Sequence, residues 1–156
     1  MIAQEGEHKN YHWIVMPYSG KFRGLGSIIK ELPQTVLDVT ILIPVFDGET
    51  LEFGSEHEEK GWELVGTCVK IPHLKQADDL PLAPHSEYYL FTNDPKHIPQ
   101  ESFVEDIFFF PSEDNHEFWA AIAKLDPETV IIEKEGTFVA SKNPKLILAL
   151  KQRFSG

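Results

Sequence analysis

Apolar residues occupy every second position of the segment 35–46, and this alternation is the strongest constraint on the fold of the chain. A period of two residues is typical of a β-strand that turns one face toward a core. The apolar positions are Leu37, Val39, Ile41, Ile43 and Val45. Pro44 has no backbone N–H to donate, so we expect the end of this strand at a sheet edge or at a bulge.

Further strands are indicated by short segments that are rich in aromatic and β-branched residues. They span residues 11–18, 62–71, 87–92, 103–110, 129–134 and 137–141. The last two flank Glu135 and Gly136, which is a typical hairpin signal. Segment 62–71 has apolar residues on both faces, which is typical of a central strand.

Capping residues predict where helices begin and end. Ser55 and Glu58 form a capping box, and Gly61 suits the left-handed residue that stops a helix, so a short acidic helix is expected between them. Pro144 at a first helical position opens a helix that continues to Arg153. The predicted N-caps of the helices are Ser27, Ser55, Ser112 and Asn143.

Several predicted strands follow one another without a helix between them, which favours antiparallel or mixed pairing. We therefore expect the α+β class. The sheet should be antiparallel or mixed and have about six strands, with two longer helices and one or two short ones packed mainly on one face. A length of 156 residues predicts one globular domain over residues 1–156.

The net charge of −11 limits the choice of partners. Residues 47–59 hold six acidic residues and no Lys or Arg, and residues 97–123 again hold six acidic residues and no Lys or Arg. Phosphate-bearing partners are repelled by such a surface, so nucleic acid and anionic membranes are disfavoured. A basic protein is favoured, because complementary charge speeds encounter. The alternative is that the charge serves solubility alone.

Cys68 is the single cysteine, which excludes an intrachain disulfide. The first residues carry acids where a signal peptide has a basic and then an apolar stretch. No apolar run approaches the roughly 20 residues that span a bilayer. A cytoplasmic protein is expected, with Cys68 as a small buried side chain within a strand.

A region without visible period, residues 72–86, is long for a loop in a compact domain, and loops of this length are usually functional or mobile. Its imidazole and carboxylate groups are suited to metal binding or acid–base chemistry. The candidate catalytic residues are His73, Asp79, His85 and Glu87, with Asp78 beside them. Their spacing matches no known signature, so an ordinary solvated loop is the alternative, and no metal or cofactor is assigned.

The glycine-rich segment 20–27 precedes a predicted helix, where backbone amides can bind an anion. The candidate anion-binding residues are Lys21, Arg23, Gly24 and Gly26. The spacing fits neither of the common phosphate-binding patterns. A flexible connection that uses glycine for backbone freedom is the alternative.

Two functional hypotheses follow. The first is a non-enzymatic binding module for a basic protein, such as an inhibitor or immunity-type protein. Its candidate contact residues are acidic or aromatic, the types that steer and anchor interfaces, namely Glu56, Glu58, Glu59, Tyr88, Tyr89, Glu113 and Trp119. A homodimer is also considered, because three consecutive phenylalanines at 108–110 cannot share one sheet face. The second hypothesis is a small enzyme with its site in segment 73–87.

Overall fold

The computed structural model describes residues 4–17, 39–44, 54–65, 68–72, 88–92, 116–133 and 136–154. Within these ranges the strands are β1 (Gln4–His8), β2 (Tyr11–Pro17), β3 (Val39–Pro44), β4 (Glu63–Val65), β5 (Cys68–Pro72), β6 (Tyr88–Thr92), β7 (Thr129–Glu133) and β8 (Gly136–Ser141). The helices are α1 (Ser55–Glu59), α2 (His116–Leu125) and α3 (Pro144–Phe154).

The eight described strands form one sheet in the order β1-β2-β8-β7-β6-β3-β5-β4. Every neighbouring pair is antiparallel. The predicted α+β class is therefore confirmed, with more strands than expected. The predicted strand 103–110 and the predicted helix after Ser27 lie outside the described residues.

Two strands of the sheet were not predicted as such. The sequence pattern predicts no strand before residue 11, but β1 pairs with β2 across a turn in which Lys9 has a φ of 52°. Segment 62–71 was predicted as one central strand, whereas Val65 pairs with Cys68, so β4 and β5 form a hairpin and β4 ends the described sheet. The prediction of one strand was wrong because both arms of this hairpin carry similar apolar residues.

The strand from the alternating segment, β3, lies inside the sheet between β5 and β6. Its pairs with β5 run from Val39 to Leu42, while its pairs with β6 continue to Pro44. Pro44 therefore has a described partner on one side only. This is compatible with a residue that lacks a backbone donor.

Helix α2 covers one face of the β2, β8 and β7 part of the sheet. Trp13 and Phe138 lie at the centre of this core with ring centroids 5.9 Å apart, and Phe118 meets Phe138 edge to face at 5.6 Å. The buried cluster comprises Tyr11, Trp13, Val15, Phe118, Trp119, Ile122, Val130, Ile132, Phe138 and Ala140. Aromatic packing therefore dominates this layer.

Helix α3 covers the opposite face. Lys151 on α3 lies 3.0 Å from Glu5, whose strand partner is Ile14, on the face opposite Trp13. Ile14 and Val139 are fully buried, so this second face is also apolar. The two longer helices thus lie on opposite faces of this region, which differs from the predicted packing mainly on one face. A strand region that is apolar on both sides needs a layer on each.

A polar corner lies where β2 meets the residues that follow α2 and β8. The Tyr11 hydroxyl donates a 2.6 Å hydrogen bond to the Pro127 carbonyl, and Lys142 forms an ion pair with Asp126 at 2.5 Å. Asp126 adopts a φ of 50° where α2 ends. Burial, followed by the charges of Asp126 and Glu128, raises the pKa of Tyr11 well above its ordinary value.

Gly6 is required by the packing of Trp13. A Cβ atom at Gly6 would lie 2.7 Å from Trp13 Cζ2. We predict that Gly6→Ala lowers the free energy of unfolding by about 1 to 3 kcal/mol, since the buried indole has little room to move. In the control Gly54→Ala, the new Cβ lies 2.8 Å from the end of the exposed Glu56 side chain, which can rotate away, so the loss should stay below about 1 kcal/mol. Chemical denaturation measures the free energy of unfolding of both variants. Equal losses would contradict a tight contact between Gly6 and Trp13.

Tyr11 also predicts a pH dependence. Because folding raises its pKa, the tyrosine ionises more readily in the unfolded chain, and its contribution to stability is lost as pH rises above about 10. Tyr11→Phe should lower stability at neutral pH by about 1 to 3 kcal/mol, since the Pro127 carbonyl loses its donor. The variant should also show a shallower loss of stability above about pH 10. Denaturation curves at several pH values test this, and parallel curves for both proteins would contradict it.

Candidate functional site

A groove runs along the first edge of the described sheet, between the β1–β2 hairpin and α3. Its volume is about 380 Å³. The hairpin contributes Glu5, Glu7 and His12, and α3 contributes Ile147, Leu148 and Lys151. We call this the β1–α3 groove. Its hairpin wall carries charged groups, and its helix wall combines apolar side chains with Lys151.

The start of α3 is fixed by local hydrogen bonds. The Asn143 side chain accepts a bond from the Lys145 N–H at 3.0 Å, as the predicted N-cap should. The Ser141 hydroxyl accepts from the Asn143 N–H at 3.1 Å and lies 3.0 Å from the Thr129 hydroxyl. The helix therefore begins directly after β8. Its buried residues, Leu146, Ile147 and Leu150, pack toward the sheet.

One ion pair and one contact between an imidazole and a carboxylate line the groove. Lys151 Nζ lies 3.0 Å from Glu5 Oε2, and His12 Nδ1 lies 3.3 Å from Glu7 Oε1. The Glu7 side chain is 72% exposed. Exposed charged pairs of this kind contribute roughly 0 to 1 kcal/mol to the free energy of unfolding. Both carboxylates can therefore exchange their present partners for a cation of another molecule at little cost.

Leu148 is 56% exposed and lines the same groove. Among the residues that the structure describes, no other large hydrophobic side chain is exposed to this extent. Its neighbours in the sequence, Ile147 and Ala149, are also apolar. A run of apolar residues longer than one helix stripe leaves a member outside the core. This apolar run is visible in the sequence, but it does not by itself predict a groove.

At the other end of the described sheet, α1 and β4 carry a second charged surface. Glu56, Glu58, Glu59 and Glu63 are exposed, and we call them the acidic α1 surface. The helix stops at Gly61, whose φ of 87° is the left-handed conformation that the sequence predicts. Lys60 is the one Lys or Arg within residues 54–65, and its Nζ lies 5.7 Å from the ring centroid of Trp62.

The predicted contact residues are distributed unevenly. Glu56, Glu58 and Glu59 lie together on α1, as the capping signals predict. Tyr88 and Tyr89 lie on β6, an inner strand between β3 and β7.

Trp119 is 4% exposed. It stacks on His8 with ring centroids 4.5 Å apart and belongs to the aromatic core. Because little of its indole reaches solvent, Trp119 cannot serve as the exposed contact residue that the sequence predicts.

The other predicted sites lie outside the described residues. These are the candidate catalytic residues His73, Asp79, His85 and Glu87, the anion-binding residues Lys21, Arg23, Gly24 and Gly26, and the contact residue Glu113. They remain predictions from the sequence. Within the described ranges, no three His, Cys, Asp or Glu side chains gather to hold a metal ion. No helix in those ranges has both the length and the hydropathy needed to cross a membrane.

Comparisons with protein-family models, curated proteins and solved structures produced no match for this chain.

Leu148 and Leu150 provide a matched test of this geometry. Leu150 is fully buried, so Leu150→Ala should cost about 2 to 5 kcal/mol. Leu148→Ala should change the free energy of unfolding by less than about 0.5 kcal/mol, because the side chain is largely exposed. Chemical denaturation of the two variants measures the difference. A large loss on Leu148→Ala would show that this residue belongs to the core rather than to a groove.

Proposed function

We propose that this single-domain α+β protein is a non-enzymatic binding module for a basic protein, which it contacts through the acidic α1 surface. The observation that carries the proposal is the exposure of Glu56, Glu58 and Glu59 on one short helix, with Glu63 following on the last strand of the described sheet. An inhibitor or immunity-type role is the form of binding that we favour. A cytoplasmic location is part of the proposal and is supported by the single cysteine in the sequence.

The charge around α1 supports this choice of partner. Residues 54–65 carry four glutamates against one lysine, and the whole chain has a net charge of −11. Among the described residues, no basic side chain forms an ion pair with Glu58 or Glu59. Exposed carboxylates that outnumber the cations near them create a negative field that attracts a positive surface and speeds its encounter.

The position of α1 at a sheet end also suits an interface. Helix α1 leads into β4, the last strand of the described sheet, so the glutamates border an edge rather than the middle of a covered face. The Trp62 side chain, by contrast, is buried directly after the helix. The buried indole anchors the segment while the charged residues stay in solvent.

Neutralising α1 tests the proposal. We expect that a basic partner, isolated by affinity capture on the wild-type protein and then purified, binds Glu58→Gln/Glu59→Gln about three to tenfold more weakly, because two exposed charge contacts are lost. The double variant Glu117→Gln/Glu128→Gln removes the same charge elsewhere and should bind within about twofold of wild type. Titration calorimetry measures the affinities.

The salt dependence of the partner's affinity distinguishes electrostatic attraction to the α1 glutamates from binding that does not depend on charge. Wild-type affinity should fall between about 0.05 M and 0.5 M salt, and the Glu58→Gln/Glu59→Gln variant should show a smaller fall. A partner that binds both proteins equally at both salt concentrations would overturn the proposal. A partner with a net negative charge would overturn it as well.

A further inference from the structure

Strand β1 has one backbone edge without a strand partner among the residues that the structure describes. Within the described residues it hydrogen-bonds to β2 alone and ends the strand order. A two-residue turn closes the hairpin, so the pair His8 and Tyr11 next to it is a hydrogen-bonded pair. Antiparallel pairs alternate, and Gly6 with Trp13 is therefore the next hydrogen-bonded pair. The N–H and C=O groups of Glu5 and Glu7 consequently point away from β2.

The side chains of those same two residues face the β1–α3 groove. Glu5 and Glu7 alternate with Gly6, whose pairing partner Trp13 lies on the opposite face. The open edge therefore offers backbone donors and acceptors directly beside two carboxylates. The exposed Leu148 lies on the other wall of the groove. A bound peptide strand could therefore pair with the β1 backbone, contact the two glutamates and reach Leu148 at the same time.

The charges of β1 argue against a second copy as its partner. Two β1 strands that pair antiparallel about an axis at Gly6 would set Glu5 of one copy opposite Glu7 of the other. An axis at Glu5 or at Glu7 would set a glutamate opposite itself. Like charges directly across a sheet pair are destabilising, so the edge disfavours pairing with itself. A strand that carries cations at alternate positions has the complementary pattern.

We propose that β1 binds an extended segment of a partner protein as an additional strand, and that this segment bears Lys or Arg at alternate positions. Its cations would lie beside Glu5 and Glu7, and its backbone would pair with the outward N–H and C=O groups of these residues. A neighbouring apolar side chain would contact Leu148. This surface is separate from the acidic α1 surface, and it does not depend on the function proposed for that surface.

Amide hydrogen exchange tests the backbone pairing directly. The probe is a synthetic hexapeptide of alternating Lys and Val, with the same peptide carrying Glu in place of Lys as the control. On saturation with the Lys peptide, exchange of the Glu5 and Glu7 amides should slow by at least about tenfold, while the Gly6 amide, already bonded to β2, should change little. The Glu peptide should leave all three unchanged. No slowing at Glu5 and Glu7 would overturn the proposal.

A pair of substitutions at one position separates backbone pairing from charge. Glu5→Pro removes an outward donor that β2 does not use, whereas Glu5→Gln removes only the charge. Peptide affinity should fall by at least about tenfold in Glu5→Pro and by about two to fivefold in Glu5→Gln. Protection of the Gly6 amide in the free variants shows whether the hairpin remains folded. Equal affinities of Glu5→Pro and Glu5→Gln would overturn the proposed strand addition.

Two further measurements distinguish this surface from other modes of binding. The variant Glu58→Gln/Glu59→Gln should bind the Lys peptide within about twofold of wild type, so failure of the function proposed for α1 would leave this result intact. Slowed exchange confined to α1 would show binding by charge alone and would overturn the proposal. Sedimentation of the free protein should show a monomer. If it shows a dimer instead, the Glu5→Pro variant tests whether that dimer forms through β1. Such a dimer would identify a second copy as the occupant and would also overturn it.

Discussion

Burial on both faces of the β2, β8 and β7 strands is the constraint on which the rest of the described structure depends. Trp13 and Phe138 require cover on one face, while Ile14 and Val139 require it on the other. Helix α2 supplies the first layer and α3 the second. The sheet cannot leave either face to water, because the apolar area involved provides most of the driving force for folding.

The two layers are joined by a small set of buried polar contacts. Tyr11 links β2 to the residues after α2 through its bond to Pro127, and Ser141 links β8 to the start of α3. Each of these bonds lies where a helix meets a strand, and each gives a polar group a partner at a buried or partly buried position. Trp13 is an exception in the described structure, since its buried Nε1–H has no hydrogen-bond partner. The indole is held by ring contacts and by its close approach to Gly6.

Covering the second face with α3 has a consequence for binding. The helix packs on β2 and β8, so its outer side, with Leu148 and Lys151, forms a wall beside the edge strand β1. The glutamates of β1 lie at the foot of that wall. At the opposite end of the described sheet, the glutamates of α1 border β4. The described glutamates of β1 and of α1 thus lie at the two ends of the described sheet, away from the covered aromatic core, and such carboxylates suit contacts with basic partners.

Local chemistry alone determined several elements from the sequence. Asn143 caps α3 and Gly61 ends α1 because each acts on backbone groups within a few residues of itself. The strands β2, β6, β7 and β8 were predicted from their own apolar residues. The tertiary structure alone decided that polar β1 is a strand, that residues 62–71 fold back as a hairpin, and that Trp119 lies in the core. These outcomes depend on partners distant in the sequence, since an edge strand needs only one neighbour and an aromatic ring is buried only where another element covers it.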